Sequence, residues 1–386
     1  MNINRRQFNH RLTSALLGLN VIPQLHAQGS QDHPTTPSGT ARPQYFFKHP
    51  TFEIIFLTSL GRAYHSAGNV GKVLYLTRHV EDGNFESAYL AFKQAGDEAR
   101  ALAEESVSQG HKESARQAYL WAQNFLDSAT YFVDASKDPT RFLPTWELLY
   151  DCWLKALSLF DPPIEPVSIP YEKTELHGFF IRGTSTSRKR PLLILVNGSD
   201  GSLLDMWLWG GAGALARGYD CLSFDGPGQG YALWKQRLYF RPDWEKVISP
   251  IVDYALSRAE VDPKRVAIQG ISQGGYLSKL LDPATKSTLS FRMRPFGFTS
   301  YYDTYKAVLE YNVTGVAGQI RCPMLITEPA NESFWPGQSR QLYSLLASPK
   351  KLVPFTESDG ADLHCEPKGT GLRDLRVFDW LDETLG

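Results

Sequence analysis

What this chain lacks narrows it first. Its 40 lysines and arginines nearly balance 41 aspartates and glutamates, and no long block of one charge occurs. That excludes the basic footprint expected of a nucleic-acid or polyanion partner. No Gly-x-Gly-x-x-Gly opens a helix with an acid about 20 residues on, and no Gly-x-x-x-x-Gly-Lys-Ser/Thr is present, so neither dinucleotide nor nucleotide-phosphate binding is signalled. His-Glu-x-x-His and paired Cys/His spacings are missing too, so the sequence calls for no metal and no cofactor. The four cysteines, Cys152, Cys221, Cys322 and Cys365, form no Cys-x-x-Cys pair. They are expected as buried thiols without a bridge, Cys365 being the one to watch. No repeat of fixed period is visible, which excludes a solenoid.

The start carries a signal of its own. Arg5-Arg6 precede an apolar run from Leu12 to Ile22, and Leu25-His26-Ala27 precede Gln28. This reads as a twin-arginine export signal over residues 1–27, cut after Ala27, and so as a periplasmic protein. A run of about 11 apolar residues cannot cross a hydrocarbon core of about 30 Å, so stable membrane insertion is not expected. Residues 28–48, "GSQDHPTTPSGTARPQ" among them, are poor in apolar side chains and rich in Pro, Ser, Thr and Gly. They read as a flexible leader.

With 386 residues the chain has room for two domains and a large core. Residues 49–162 carry apolar side chains every three or four positions, as in "ESARQAYLWAQNFLDSATYFVDAS", where Ala118, Trp121, Phe125 and Ala129 share a stripe. Gly68, Gly83, Gly110 and Pro139 divide this all-helical domain into about five helices. The texture changes at "DPPIEP". Residues 163–386 open with two strands around a Glu172-Lys173 turn, then show buried runs, "LLILV", "CLSF", "VAIQ", "PMLIT" and "KLVPFT", separated by helix-length stretches. Strands alternating with helices imply an α/β domain, a mostly parallel sheet covered by helices on both faces.

One of those strands runs into "GISQGGYLSK". A strand ending in Gly-x-Ser-x-Gly and feeding a helix pushes its serine out at the strand end, here Ser272, with a helix N-terminus behind it to favour an oxyanion. A serine at its ordinary pKa is a poor nucleophile and needs a histidine base. Nine histidines occur, but beyond His177 there is only His364, in "FTESDGADLHCEP" after the last strand. The base in turn needs an acid lying between serine and histidine in the chain. Glu332, in the loop of "PMLITEPANESFWP", is the first choice. Glu328 at the strand end, then Asp359 and Asp362, stand behind it. The oxyanion hole requires two backbone N–H donors: Gln273 follows the nucleophile, and Ser199, with Asp200 as neighbour, lies beyond the strand ending in Asn197-Gly198. "FDGPGQG" (224–230) reads as a chain reversal with glycines at positive φ. Asp303, Tyr301 and Tyr302, in "TSYYDTYK" after an expected strand, are candidates for contact with substrate, Asp303 also for protonating a leaving group. Of the large aromatics in the helical domain, Tyr119, Trp121, Phe125, Tyr131, Phe132, Trp146, Tyr150 and Trp153, most are expected in its core and a few at the seam, where ligand sites tend to sit.

Taken together, "NGSDGSLLDMW", "FDGPGQG", "RPDWEKV", "GISQGGY", "FWPGQSRQLY" and "GADLHCEP" resemble the α/β-hydrolase branch that includes 2,6-dihydroxypseudooxynicotine hydrolase and the fungal polyketide-shortening hydrolases of melanin pathways. The likeness covers roughly residues 50–386. It implies an α/β-hydrolase fold with an N-terminal all-helical cap domain over the active site and, often, a homodimer. It further implies hydrolysis of a carbon–carbon bond beside a ketone on an aromatic or polyketide substrate. Ser272, Glu332 and His364 fall on the branch's triad positions, Glu332 replacing an aspartate. A carboxylesterase, thioesterase or acyltransferase would use the same three residues, while a non-catalytic binding protein would need none of them.

Overall fold

Apolar side chains recurring at helical spacing are the reason the N-terminal region forms five α-helices: α1 (Pro50–Gly61), α2 (Val70–Thr77), α3 (Phe85–Ser108), α4 (Lys112–Val133) and α5 (Phe142–Ser158). The computed structural model describes residues 44–183, 189–198, 201, 205–272, 293–308, 310, 313–334 and 336–386, without the side chains of Tyr301, Tyr302, Tyr305 and Val308. Asn69 and Asn84 start α2 and α3 by accepting from the Lys72 and Ser87 amides at 3.0 Å, each such cap contributing about 1 kcal/mol. Gly83 and Gly110 stand at φ +78° and +76° in the connecting turns, a region glycine enters without steric cost. Phe52, Phe56, Phe92, Phe125 and Phe132 fill the interior, with the rings of Phe56 and Phe92 4.6 Å apart and those of Phe52 and Phe132 4.9 Å apart. Burial of each is worth roughly 2 kcal/mol.

The described residues of the second half contain seven strands, all where apolar runs were expected: β1 (Glu165–Tyr171), β2 (Thr174–Ile181), β3 (Arg190–Val196), β4 (Asp220–Phe224), β5 (Val261–Gly270), β6 (Met324–Pro329) and β7 (Lys350–Phe355). The first five form one sheet in the order β1-β2-β4-β3-β5, with β1-β2 and β2-β4 antiparallel and β3 parallel to both neighbours. Strands β6 and β7 pair in parallel in a second sheet. Helices α6 (Gly211–Ala216), α7 (Gly230–Trp234), α8 (Glu245–Ser257), α9 (Tyr301–Val308), α10 (Gln338–Leu345) and α11 (Thr370–Leu385) intervene or follow. Central strands β3 and β4 are apolar and buried, as a strand covered on both faces must be. The chain leaves β3 for β4 on one side and returns to β5 on the other, which puts the carboxyl ends of β3 and β5 next to each other. Crevices at such reversals hold the ligand in open α/β sheets.

The strand expected before Tyr301 does not occur among the described residues 293–300. Arg294–Phe296 is a 3-10 turn followed by Gly297 at φ +70°. Pro295 has no N–H to give a ladder, and the left-handed glycine ends any extension. All four cysteines are free. Cys152 and Cys221 are buried as expected and Cys365 half-buried, but Cys322 is exposed. Phe46–Gly386 is one compact unit, so the helical region and the sheet share a seam, which Tyr150 crosses. Its ring packs on Trp146 at 5.3 Å and meets Tyr231 of α7 at 5.5 Å. Five of the eight aromatics singled out above, Tyr119, Phe125, Phe132, Trp146 and Trp153, are core, leaving Trp121, Tyr131 and Tyr150 half-buried. Among the described residues no helix is long and apolar enough to cross a membrane.

Candidate active site

Strand β5 delivers its serine at the sheet's carboxyl edge. The Ile271 amide still donates to Val196 O of β3 at 3.1 Å, and the next residue, Ser272, turns to φ +39°. A non-glycine residue there costs of order 1–3 kcal/mol and is held only by its surroundings. Part of that hold is Gly198, at the end of β3. A Cβ on it would come within 3.0 Å of the Ile271 and Ser272 carbonyl oxygens and 3.2 Å of Ser272 Cβ.

Ser272, His364 and Glu332 come together in a line. Nε2 of His364 lies 2.7 Å from Ser272 Oγ, and Nδ1 lies 2.6 Å from Glu332 Oε2. The other carboxylate oxygen accepts the Phe334 amide at 2.7 Å, and the Phe334 ring covers the imidazole at 4.5 Å. An ionised carboxylate can only accept, so Nδ1 carries the proton toward Glu332 and the Nε2 lone pair faces the hydroxyl. The Glu332 and His364 loops are tied to each other independently. Asn331 N–H donates to Asp362 O at 2.7 Å, and its side-chain amide to Asp362 Oδ2 at 2.7 Å.

The other acids have different partners. Glu328 pairs with Arg340 at 2.6 Å, Asp362 with Lys368 at 2.9 Å, and Asp359 accepts the Thr356 amide and meets Arg376. Asp303 is half-buried in the first turn of α9, with its amide 3.4 Å from Ser300 Oγ, and no described contact joins it to His364. Gln273, Ser199 and Asp200, and the side chains of Tyr301 and Tyr302, lie outside the described residues.

Two residues escaped the sequence reading. Gln229, 1 % exposed within "FDGPGQG", does more than reverse the chain. Its Nε2 donates to Asn197 O at 2.7 Å and Gly198 O at 3.1 Å, while its Oε1 accepts the Gly226 amide at 3.0 Å. It binds the loop after β4 to the loop after β3. The only signal was a lone amide side chain among glycines. The second is Glu366, two residues past His364 and 2 % exposed. Burial pushes its carboxyl up to about 7, Arg373 and Thr327 opposing and the charge of Glu332 adding to the rise. Burial likewise pushes the Cys365 thiol well above its usual range, so it stays protonated beside the site. No group of His, Cys, Asp and Glu among the described residues could hold a metal ion.

A mixed sheet with parallel central strands, a strained serine at the end of β5 and a histidine beyond the last strand is the arrangement of an α/β-hydrolase, and the protein is an enzyme of that fold. Within that class the chain is similar to Hydrolase LUC6 of a Fusarium species, 27 % identical over 409 aligned positions that cover 88 % of this chain and 98 % of that protein. It is similar also to 20-hydroxy-prefusarin hydrolase FUS2 of Gibberella moniliformis, 33 % identical, covering 63 % of this chain and 61 % of the relative. Alpha/beta hydrolase psoB of Aspergillus fumigatus is 32 % identical, with 63 % and 58 % covered. The chain thus spans under two thirds of the length of these last two. Among solved structures, 2,6-dihydroxy-pseudo-oxynicotine hydrolase superposes with a TM-score of 0.70 at 19 % identity, covering 84 % of this chain and 95 % of that one. AbyA5 superposes at 0.53 and 16 % identity. No family model matches. The resemblance carried by the six motifs is borne out in both of its parts, the fungal hydrolases and the oxynicotine hydrolase.

Proposed function

We propose that the protein is a serine hydrolase that cleaves a carbon–carbon bond beside a ketone in an aromatic or polyketide-like substrate, with Ser272 as nucleophile, His364 as base and Glu332 as the acid that orients it. The observation that carries this reading is the unbroken line from Ser272 Oγ through His364 to Glu332, with contacts of 2.7 and 2.6 Å. As Oγ attacks the substrate carbonyl, Nε2 takes its proton, and the N–H groups of Gln273 and Ser199 stabilise the oxyanion. The tetrahedral intermediate collapses with rupture of the C–C bond. The electron pair leaves on a carbon stabilised by a neighbouring carbonyl or phenol, and that carbon takes the proton held by His364, with Asp303, Tyr301 and Tyr302 as candidates to assist or to bind substrate. Water then attacks the acyl-serine, giving its proton to Nε2. The second collapse returns a proton to Ser272 Oγ and frees a carboxylic acid.

Support for the substrate class comes from the six motifs and from two similar proteins, one a 20-hydroxy-prefusarin hydrolase and one a 2,6-dihydroxy-pseudo-oxynicotine hydrolase. The proposal includes export to the periplasm on the strength of Arg5-Arg6 and a homodimer on that of the resemblance. The test is product analysis by mass spectrometry on protein lacking residues 1–27, offered aryl esters and aryl 1,3-diketones side by side, with Ser272→Ala as blank. Diketone cleavage that the variant abolishes is the expected result. Cleavage of esters alone would move the protein to the carboxylesterases and end the ketone reading.

A further inference from the structure

One short turn of the helical region touches two of the segments that meet at Ser272. Gly61 closes α1, and a Cβ on it would lie 1.7 Å from the carbonyl oxygen of Pro367, three residues beyond His364, and 3.6 Å from Thr370 Oγ1. Only glycine fits so close to another backbone. Thr370 Oγ1 donates to that same carbonyl at 3.2 Å, so the His364 loop is gripped from both sides. The next residue, Arg62, is 5 % exposed. Its guanidinium reaches Asn124 Oδ1 at 3.0 Å and Asp127 Oδ2 at 2.7 Å in α4, then crosses to Asp205 Oδ1 at 2.8 Å. Asp205 borders Gly201 together with Asn197. Its other oxygen lies 2.6 Å from where a Gly201 Cβ would stand, and Asn197 Oδ1 lies 3.0 Å from the same point. His65, ending the turn, bonds Asp374 Oδ2 of α11 at 2.8 Å, and neighbouring Arg373 donates to Leu208 O at 3.1 Å.

The cavity lined by Thr58, Arg62, His65, Trp209 and Pro367 measures about 10 Å³, room for roughly one water. A substrate does not fit there, so these side chains hold the seam and do not line a binding pocket.

We infer that the turn Gly61–His65 is a positioning element for the catalytic loops. Gly61 sets the distance of the His364 loop from Ser272, and Arg62 holds Asp205, which borders Gly201 together with Asn197, the residue before the Gly198 that abuts Ser272. The inference rests on Ser272 and His364 acting as proposed above. It makes the helical region a fixed part of the catalytic scaffold, bonded to the loops on either side of the serine. A lysine in place of Arg62 offers a single charged point, not a planar fork, and cannot reach Asn124, Asp127 and Asp205 in the same geometry.

The experiment compares wild type with Gly61→Ala, Arg62→Met and Arg62→Lys, and with Lys93→Met on α3, where Lys93 is paired with Asp97, as a control. Two quantities are read: the rate at which a serine-directed phosphonate labels Ser272, and kcat and KM on whichever substrate class is turned over. Displacing a catalytic group by 1 Å costs roughly 100-fold. In Gly61→Ala and Arg62→Met, labelling and kcat are therefore expected to fall together by roughly 10- to 100-fold while KM stays within about threefold. Arg62→Lys should recover part of the loss, and Lys93→Met none should lose. Wild-type labelling in both variants, or a rise in KM alone, overturns the inference. If Arg62→Met does not fold, Asp205→Asn, of the same shape, is read by the same criteria. A wild type that the phosphonate does not label overturns the nucleophilic role of Ser272 instead, which separates the two failures.

Discussion

At the level of single residues, Glu366 shows what burial beside the candidate site does. Its carboxyl is raised from 4.5 to about 7, first by burial. Between those two values the folded protein keeps a proton that the unfolded chain has lost, so stability is fully present below about pH 4.5 and falls as pH rises toward 7. The loss is about 3 kcal/mol. Glu366→Gln removes this ionisation. The variant should melt close to wild type at pH 5 and at a higher temperature than wild type at pH 8, and parallel melting curves across that range would refute the assignment. Ser272 was legible from its flanking glycines, and His364 from being the only histidine after His177. Glu332 was preferred to Glu328 because it stands in the loop and not on the strand, and in the structure Glu328 is taken by Arg340. Gln229, Arg62 and Glu366 were not legible. What each does depends on which loops become neighbours, and no local pattern carries that information.

Elements were easier to read than their arrangement. Periodicity of 3.6 yielded five helices between Pro50 and Ser158, and short buried runs yielded seven strands, because both signals are local. The order β1-β2-β4-β3-β5 was not in reach, since it depends on how the crossovers wind. Among the described residues 293–300 a proline and a left-handed glycine stand where a strand before Tyr301 was expected. Close approach of two elements is also invisible until the partner is known. Gly96 on α3 is the clearest instance, for a Cβ there would meet Leu126 Cγ of α4 at 2.7 Å. Gly96→Val should overfill this contact and cost about 1–3 kcal/mol, read as a lower midpoint in chemical denaturation. An unchanged midpoint would mean that the helices part without penalty.

Over the whole molecule, the sequence separated a helical half from an α/β half but treated the first as a cover. The contacts of Gly61, Arg62 and His65 with Pro367, Asp205 and Asp374 tie it into the loops as well. The proposed export belongs to this scale as well, and rests on residues outside those described. Replacing Arg5 and Arg6 by lysine should leave the protein in the cytoplasmic fraction, whereas wild type should appear in the periplasmic one. Equal periplasmic amounts would end the twin-arginine reading.

The tie made by Gln229 carries a consequence for solvent access. The Gly226 amide is held by Gln229, the Gly198 amide by Asn197 Oδ1, the Ile271 amide by β3 and the Asn331 amide by the His364 loop. Loops are ordinarily the first parts of a protein to trade their amide hydrogens for deuterium, but these four are latched as firmly as rungs of the sheet. These four amides therefore behave as a piece of core that reaches the surface, and their slow exchange would mark the described part of the site as rigid.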